Sequence, residues 1–180
     1  MSSKFSKLDE TVRYRGPVVQ AVELTVRGPD GETLTREVIR HPGAVVVAAV
    51  TDRRSFLLVR QYRAAVGAEL LEVPAGKRDV DGEPPEVTAE RELAEEVGRR
   101  AGRLDLLARF YNSPGFTDEL THLYLARDLV EVPTDRQGVE EQNMEVVEVP
   151  FDDVATMIVD GTLVDAKTII GLTLALQRLQ

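Results

Sequence analysis

The chain has 180 residues, of which 43% are hydrophobic and 29% are charged, and its formal net charge is −9. This length and composition fit one globular domain with a hydrophobic core. The acidic balance disfavours nucleic acids and anionic membranes as partners, because both bind basic patches. The chain contains no cysteine, which excludes disulfides, zinc–thiolate sites and thiol nucleophiles.

The segment at the N-terminus carries no apolar stretch of the kind found in secretion signals. The longest apolar run, residues 43–50, is too short to span a bilayer and is typical of a buried strand. From these features we expect a soluble, cytoplasmic protein.

Residues 1–40 are predicted to form an N-terminal unit. Residues 1–12 resemble a polar, partly ordered arm. Two alternating strands, 18–26 and 33–40, flank a turn that contains Pro-Asp-Gly. The resulting antiparallel hairpin could pack on the rest of the protein or add to the surface of a partner.

Residues 41–180 are predicted to form an α/β sandwich with a mixed sheet. One helix is expected from Pro85 to Val97, with Gly98 as its C-terminal cap. Two further helices are expected over 151–161 and 165–179, near the C-terminus, and an Asp at the start of each can cap it. Strand patterns occupy the stretches 44–50, 55–63, 69–76, 103–111, 120–129 and 145–150.

The predicted first helix ends in a dense group of carboxylates, "RELAEEVG", Arg91 to Gly98. A helix C-terminus disfavours anions, and the like charges of Glu92 and Glu96 repel at this spacing. Helical geometry places both of them with Glu95 within an arc of about 100°, beside the apolar face. This cluster suits Mg²⁺, which prefers oxygen ligands, although a solvated acidic face is the simpler alternative. Arg91 could hold Glu95 through an ion pair one helical turn away.

The wider pattern resembles the Nudix box, the signature of the Nudix hydrolases: Gly76, Glu83, Arg91, Glu92, Leu93, Glu95, Glu96 and Gly98. It departs from the family in having six residues, not five, between Gly76 and Glu83, and Arg99 in place of an aliphatic residue. The resemblance implies a Nudix-type α/β/α sandwich over most of residues 36–178.

The resemblance also implies a chemistry, the hydrolysis of a diphosphate that is linked to a nucleoside. It assigns Mg²⁺ or Mn²⁺ binding to Glu92, Glu96 and the carbonyl group of Ala75. Glu95 is expected to support these ligands, and Arg91 to orient the glutamates.

Three further stretches resemble ADP-ribose pyrophosphatases: "LVRQYR" (58–63), "EVPAG" (72–76) and "SPGFTDE" (113–119). A proline about fifteen residues beyond the box, here Pro114, is typical of that group. The implied product pair is AMP and ribose 5-phosphate. The implied oligomer is a homodimer in which the hairpin, about 14–40, helps form the partner's pocket.

This resemblance also assigns substrate-binding residues. Arg36 and Arg63 are expected to grip the diphosphate, since guanidinium groups bind phosphate oxygens in pairs. Gly76 and Pro114 are expected to line the same substrate site. Tyr14 could stack on adenine from a dimer partner.

The catalytic base is expected in a late acidic loop, residues 138–150. The resemblance favours Glu140, with Glu141 as a close alternative, and Gln142 stands where some relatives have a further metal-binding Glu. His41 and His122 are predicted to have structural roles. Two other functions remain open: hydrolysis of another nucleoside diphosphate sugar such as GDP-mannose, and nucleotide sensing without cleavage. A generic acidic interaction domain is a third possibility.

Overall fold

The computed structural model describes residues 4–136 and 138–180, except for the side chain of Glu140. The chain divides into two units. The first contains residues up to Gly43 together with Tyr111–Leu120, and the second contains Ala44–Phe110 together with Thr121–Gln180.

The first unit is built on a three-stranded antiparallel sheet, β1 (Ser6–Arg15), β2 (Gln20–Arg27) and β3 (Thr33–Arg40), in that order. The predicted hairpin is β2 and β3. The prediction of a polar arm over 1–12 was wrong for residues 6–12, which lie in β1 and pair with β2, while residues 1–3 lie outside the described residues. Nearly every residue of β1 is exposed, so burial leaves no alternating pattern in this strand, and main-chain hydrogen bonds hold it in place.

The loop that connects Tyr111 to Leu120 is anchored within the same unit. The guanidinium of Arg40 donates to Asp118 at 2.9 Å and to Glu10 of β1 at 2.6 Å. The other carboxylate oxygen of Asp118 accepts from the main-chain N–H of His41 at 2.9 Å. The imidazole Nδ1 of His41 accepts from the N–H of Gly43 at 3.0 Å, which agrees with the structural role predicted for this histidine.

The second unit contains a seven-stranded mixed sheet. Its main path runs β10 (Glu145–Pro150), β5 (Ser55–Arg63), β4 (Ala44–Val50), β9 (Leu120–Glu131) and β8 (Arg99–Tyr111). Two short strands complete it, β6 (Ala68–Glu72) beside β5 and β7 (Ala75–Lys77) beside β4. β4 and β9 are parallel to each other, whereas β4 is antiparallel to β5 and to β7.

Helices cover both faces of this sheet because its central strands are apolar on both sides. On one face, Val46 and Ala48 of β4 pack in the same cluster as Leu172 of α4 (Ala166–Leu179). On the other face, Val47 packs with Leu93 of α1 (Pro85–Val97). The predicted α/β/α sandwich with a mixed sheet is confirmed.

Several predicted boundaries were wrong. The strand expected over 69–76 is two strands, separated at Val73 and Pro74, where proline lacks the N–H that a central strand would use. The helix expected over 151–161 is a 3₁₀ turn, Phe151–Asp153, followed by the short α3 (Val154–Val159). The expected acidic loop contains a short helix, α2 (Gly138–Gln142).

None of the helices in the described ranges has both the length and the apolar character needed to cross a bilayer.

Candidate active site

Helix α1 places its glutamates at the edge of the core. It begins at Pro85, where the missing N–H costs no helical hydrogen bond, and it ends at Gly98, whose φ of 63° is left-handed. Leu93 and Val97 are buried against the sheet. The glutamates one residue earlier, Glu92 and Glu96, are therefore drawn into the protein beside this apolar face.

Glu96 is almost completely enclosed, with only 2% of its surface exposed. One carboxylate oxygen accepts from the main-chain N–H of Ala75 at 3.0 Å. Burial raises the pKa of Glu96 to about 8; the Ala75 N–H opposes this shift, and the negative charges of Glu92 and Glu141 reinforce it. The surroundings of Glu96 thus destabilise its charged form. A cation placed beside the carboxylate would compensate that charge and stabilise the ionised form.

Glu92 lies beside it and is also buried. Burial raises the pKa of Glu92 to about 7, against the lowering effect of Arg91. Its side chain occupies the space over Gly76, where an added Cβ would come within 1.9 Å of the Glu92 carboxyl carbon. The glycine at position 76 is therefore explained by the position of Glu92, a close approach and not an unusual backbone angle.

Arg91 joins three of the box glutamates. Its Nη1 donates to Glu92 at 2.8 Å and to Glu95 at 3.1 Å, and its Nη2 donates to Glu83 at 3.4 Å. Glu83 also accepts from the hydroxyl of Thr88 at 2.7 Å. The extra residue between Gly76 and Glu83 therefore does not carry Glu83 away from the box.

The described residues contain no group of three or more His, Asp or Glu side chains that forms a ready-made metal cage. Mg²⁺ does not need one, since it commonly binds through one or two carboxylates and completes its shell with water and substrate phosphates. The carboxylates of Glu92 and Glu96 offer oxygen donors within one small region, and the N–H of Ala75 is bonded to Glu96 there. We conclude that these residues fit Mg²⁺ or Mn²⁺ as ligands.

Arg63, a predicted substrate ligand, forms a two-point ion pair with Glu72. Its Nε and Nη2 donate to the two carboxylate oxygens at 2.7 Å each. The pKa of Arg63 is raised, first by this pair and also by the negative charges of Glu96 and Asp165. The charge of Arg63 thus interacts with the box residue Glu96, but its Nε and Nη2 are already bonded to Glu72.

Of the other three predicted substrate residues, Gly76 lies on β7 against the side chain of Glu92, and Arg36 and Pro114 belong to the first unit. Arg36 lies on β3 with an exposed side chain, and its Nη1 donates to the carbonyl of Thr35 at 2.8 Å. Pro114 is exposed in the loop that follows Tyr111. Tyr14 is exposed on β1. The binding roles of these residues stay predictions.

The catalytic base predicted at Glu140 falls outside the described side chains. Its neighbour Glu141, the alternative, lies on α2, and its charge contributes to the raised pKa values of both Glu92 and Glu96. Gln142 ends the same helix with an exposed side chain.

His122 is buried on β9, close to the carbonyl of Ala44, with which it forms a hydrogen bond. Burial lowers the pKa of His122, and the positive charges of Arg78 and Arg109 lower it further. A buried neutral histidine that bonds the backbone agrees with the structural role predicted for it.

Sequence reasoning missed the partners that surround Arg63. Glu72 is 1% exposed, and Lys167 at the start of α4 lies 3.9 Å from it and pairs with Asp165. A charged residue within the apolar stretch "ELLEVPAG" was the available signal, because an acidic side chain is rarely buried without a partner.

Comparisons with known proteins identify the family of the chain. The NUDIX domain model matches residues 40–169. The ADP-ribose pyrophosphatase of Bacillus subtilis is 40% identical over 86% of this chain and 83% of that protein. The methanol dehydrogenase activator of Bacillus methanolicus is 38% identical over 88% of this chain and 85% of its own length. The GDP-mannose pyrophosphatase of Cronobacter sakazakii is 34% identical, with coverages of 91% and 87%.

The fold is also shared with a crystal structure of an ADP compounds hydrolase. The TM-score is 0.85 at 22% identity, and the match covers 98% of this chain and 95% of the other. The family model, the relatives and the box built on α1 all lead to one conclusion: the chain belongs to the Nudix hydrolase family.

Proposed function

We propose that this protein hydrolyses the diphosphate bond of ADP-ribose in a Mg²⁺-dependent reaction that yields AMP and ribose 5-phosphate. The observation that carries the proposal is the buried pair Glu92 and Glu96, two carboxylates whose pKa values are raised because nearby cations do not compensate their burial. The relative with 40% identity is an ADP-ribose pyrophosphatase, which supports this choice of substrate.

Each residue of the box has a defined task in this proposal. Glu92, Glu96 and the Ala75 carbonyl would hold Mg²⁺, which when bound neutralises phosphate oxygens and acidifies water. Arg91 fixes Glu92 and Glu95 through its hydrogen bonds.

Two further residues act on the substrate and on water. Arg63 presents a guanidinium to the diphosphate. Glu140, or Glu141 in its place, accepts the proton of the attacking water.

A second candidate substrate is GDP-mannose. The GDP-mannose pyrophosphatase of Cronobacter sakazakii resembles this chain over most of its length. The box acts on the diphosphate that both substrates share, so it cannot separate them. The pockets for the base and for the distal sugar decide between the two.

We also propose that the protein is a homodimer and that the first unit supplies the contact. Strand β1, at the edge of its sheet, exposes Leu8, Val12 and Tyr14, apolar surface that a second chain could cover. Sedimentation equilibrium should give twice the 19.9 kDa mass of one chain. A single-chain mass at micromolar concentration would contradict the dimer.

The substrate is tested with a panel of ADP-ribose, GDP-mannose, FAD, NADH and diadenosine polyphosphates, with Mg²⁺ and with EDTA. We expect AMP from ADP-ribose, detected by chromatography, with the highest kcat/KM of the panel and only in the presence of Mg²⁺. Faster turnover of GDP-mannose would replace the substrate but keep the chemistry. Turnover of ADP-ribose that is unchanged in EDTA would contradict the metal requirement.

Glu96→Gln serves as the inactive reference in this panel, and Glu86→Gln is its matched control. We expect Glu96→Gln to lower kcat by roughly a hundredfold or more, because removing a metal ligand costs more than removing a residue that only orients a ligand. Glu86 is exposed in the first turn of the same helix, so its variant should turn over normally.

A further inference from the structure

A buried glutamate outside the box holds Arg63 in place. Glu72 ends β6, its side chain is only 1% exposed, and both of its oxygens are bonded to the guanidinium. The Arg63 side chain itself is 38% exposed, so the pair joins a fixed buried end to an accessible end. These two bonds use Nε and Nη2 and leave Nη1 for a further partner.

The peptide segment that carries Glu72 is itself held firmly. The N–H of Val73 donates to the hydroxyl of Thr168 at 3.0 Å, and the N–H of Ala75 donates to Glu96 at 3.0 Å. The carbonyl of Pro74 accepts from Val47 at 2.9 Å. The support of Arg63 is therefore tied both to α4 and to the box.

Charged groups at the start of α4 complete the surroundings of the pair. Lys167 lies 3.9 Å from Glu72 and donates to Asp165 at 2.6 Å. Asp165 in turn accepts from both the N–H and the hydroxyl of Thr168 at 2.8 Å. Glu72 thus lies near two cations: the half-buried Lys167, and Arg63, which interacts electrostatically with the box residue Glu96.

Stability alone is a poor reason for this arrangement. Two charges taken out of water rarely gain more from each other than they lose in hydration, so a buried ion pair is weak evidence of a stabilising device. What the pair does achieve is order. A free arginine at a strand end samples many rotamers, whereas a guanidinium bonded at two points to a fixed carboxylate has lost that freedom before substrate binds. The charge of Arg63 then acts on Glu96 from a fixed position.

We propose that Glu72 is a positioning residue for catalysis: it fixes the guanidinium of Arg63 beside the box so that the remaining edge meets a phosphate oxygen of the substrate. Glu72 does not itself touch substrate. The proposal rests on the proposed diphosphate hydrolysis for the identity of the ligand, and it adds a residue whose effect passes entirely through Arg63.

A double-mutant cycle tests this dependence, with Glu72→Gln and Arg63→Gln separately and together. Glu72→Gln removes the charge and keeps the size of the side chain, whereas Arg63→Gln removes the guanidinium and shortens the side chain. Glu72→Gln should lower kcat/KM for ADP-ribose by about ten- to a hundredfold, mostly through KM, because Arg63 contacts a phosphate group that is present throughout the reaction. In the Arg63→Gln background the same change should alter kcat/KM by less than about twofold.

Calorimetric binding of ADP-ribose in EDTA repeats the cycle without turnover. A wild-type protein that binds ADP-ribose but hydrolyses none of the panel would end the proposed function, and non-additive Kd values would still support the positioning role. Two other results would overturn the positioning role and leave the proposed function intact. One is normal turnover by the wild-type protein with additive effects of the two variants. The other is wild-type kinetics for Glu72→Gln.

Two further variants separate positioning from folding. Glu72→Asp keeps the buried charge but shortens the reach to Arg63 by one methylene, so it should recover the melting temperature better than kcat/KM. The pair Asp105→Asn with Arg127→Gln removes another arginine–carboxylate contact of the same unit, where the other charges that act on Asp105 are those of Arg103 and Arg178. It should leave kcat/KM unchanged, and an equal loss there would show that Glu72 acts only through stability.

Discussion

Gly76 and Glu92 occupy one space at the edge of the sheet. The carboxyl group of Glu92 lies where a side chain at position 76 would begin, with Glu92 Cδ, Oε1 and Cγ within 1.9–2.2 Å of the missing Cβ. All three atoms belong to one flexible side chain, which can rotate away. Crowding here would consequently move a candidate metal ligand and leave the backbone in place.

Gly76→Ala should therefore separate activity from stability. We expect kcat to fall by roughly a hundredfold, the scale of a displacement of about 1 Å at a reacting centre, while the melting temperature changes little. Steady-state kinetics with ADP-ribose and a thermal melt check both statements.

Gly28→Ala is the control for this substitution, since its nearest atom would lie 3.6 Å away, an ordinary contact. A fully active Gly76→Ala enzyme would mean that Glu92 does not need its present position.

Spacing in the sequence was sufficient for contacts within one helix. Arg91 and Glu95 were predicted to pair because they lie one turn apart, and they do so at 3.1 Å. The contact of Arg63 with Glu72 could not be predicted in the same way. It depends on the register of two strands, in which Arg63 faces Ala68 and Glu72 faces Val59, and on a side chain that runs back along the sheet.

Helix α4 shows how one capping residue connects an element to the site. Asp165 accepts hydrogen bonds from the N–H and the hydroxyl of Thr168, and that hydroxyl accepts in turn from the N–H of Val73. Burial alone would raise the pKa of Asp165, but Lys167 and Thr168 outweigh it and hold the pKa below its usual value. The ionised form is thus the one that the folded protein stabilises.

Asp165→Ala should lower the free energy of unfolding by about 1–2 kcal/mol at pH 7. Because the pKa of Asp165 is lower in the folded than in the unfolded chain, its contribution is complete above pH ~4 and is lost as the pH falls through the folded value. Urea unfolding of wild type and variant between pH 7 and about pH 3 should show the difference shrinking.

Asp153→Ala is the matched control for this experiment. Asp153 precedes α3 as Asp165 precedes α4, but it forms no capping hydrogen bond, so the loss should stay below about 0.5 kcal/mol. A difference for Asp165→Ala that grew towards acid pH would contradict the assignment.

The same comparison shows which elements sequence could predict. Both Asp153 and Asp165 have the right residue type for a cap, and only the folded chain distinguishes them. The helix α1 was predicted with its observed bounds because proline, apolar spacing and glycine agree there. Strand β1 was missed, since its residues are exposed on both faces and its pairing with β2 is a main-chain property.

At the scale of the whole molecule, the protein is acidic although its proposed substrate site has to be locally positive. The chain carries a net charge of −9, yet its proposed substrate is an anion. Local cations must therefore offset a general repulsion, and in our proposal Arg63, held by Glu72, is one of them. The layered fold makes this possible because β6 pairs with β5, β7 pairs with β4 and α1 contacts β7, all within one unit.

The family could be predicted from one helix and one loop, because the box combines helical spacing with a glycine whose role depends on local packing. The assembly could not be derived from the residues alone. The exposed apolar residues of β1 indicate a surface, but nothing in the periodicity of that strand specifies the partner that would cover it.

The central claim is that the buried carboxylates of α1 bind a divalent cation which meets the diphosphate of the substrate. Crystals soaked with Mn²⁺ and a non-hydrolysable ADP-ribose analogue test it through anomalous scattering. We predict a Mn²⁺ peak at about 2 Å from oxygens of Glu92, Glu96 and the Ala75 carbonyl, in contact with the diphosphate. An analogue bound with no peak beside these two glutamates, or with the metal at another place, would contradict the claim.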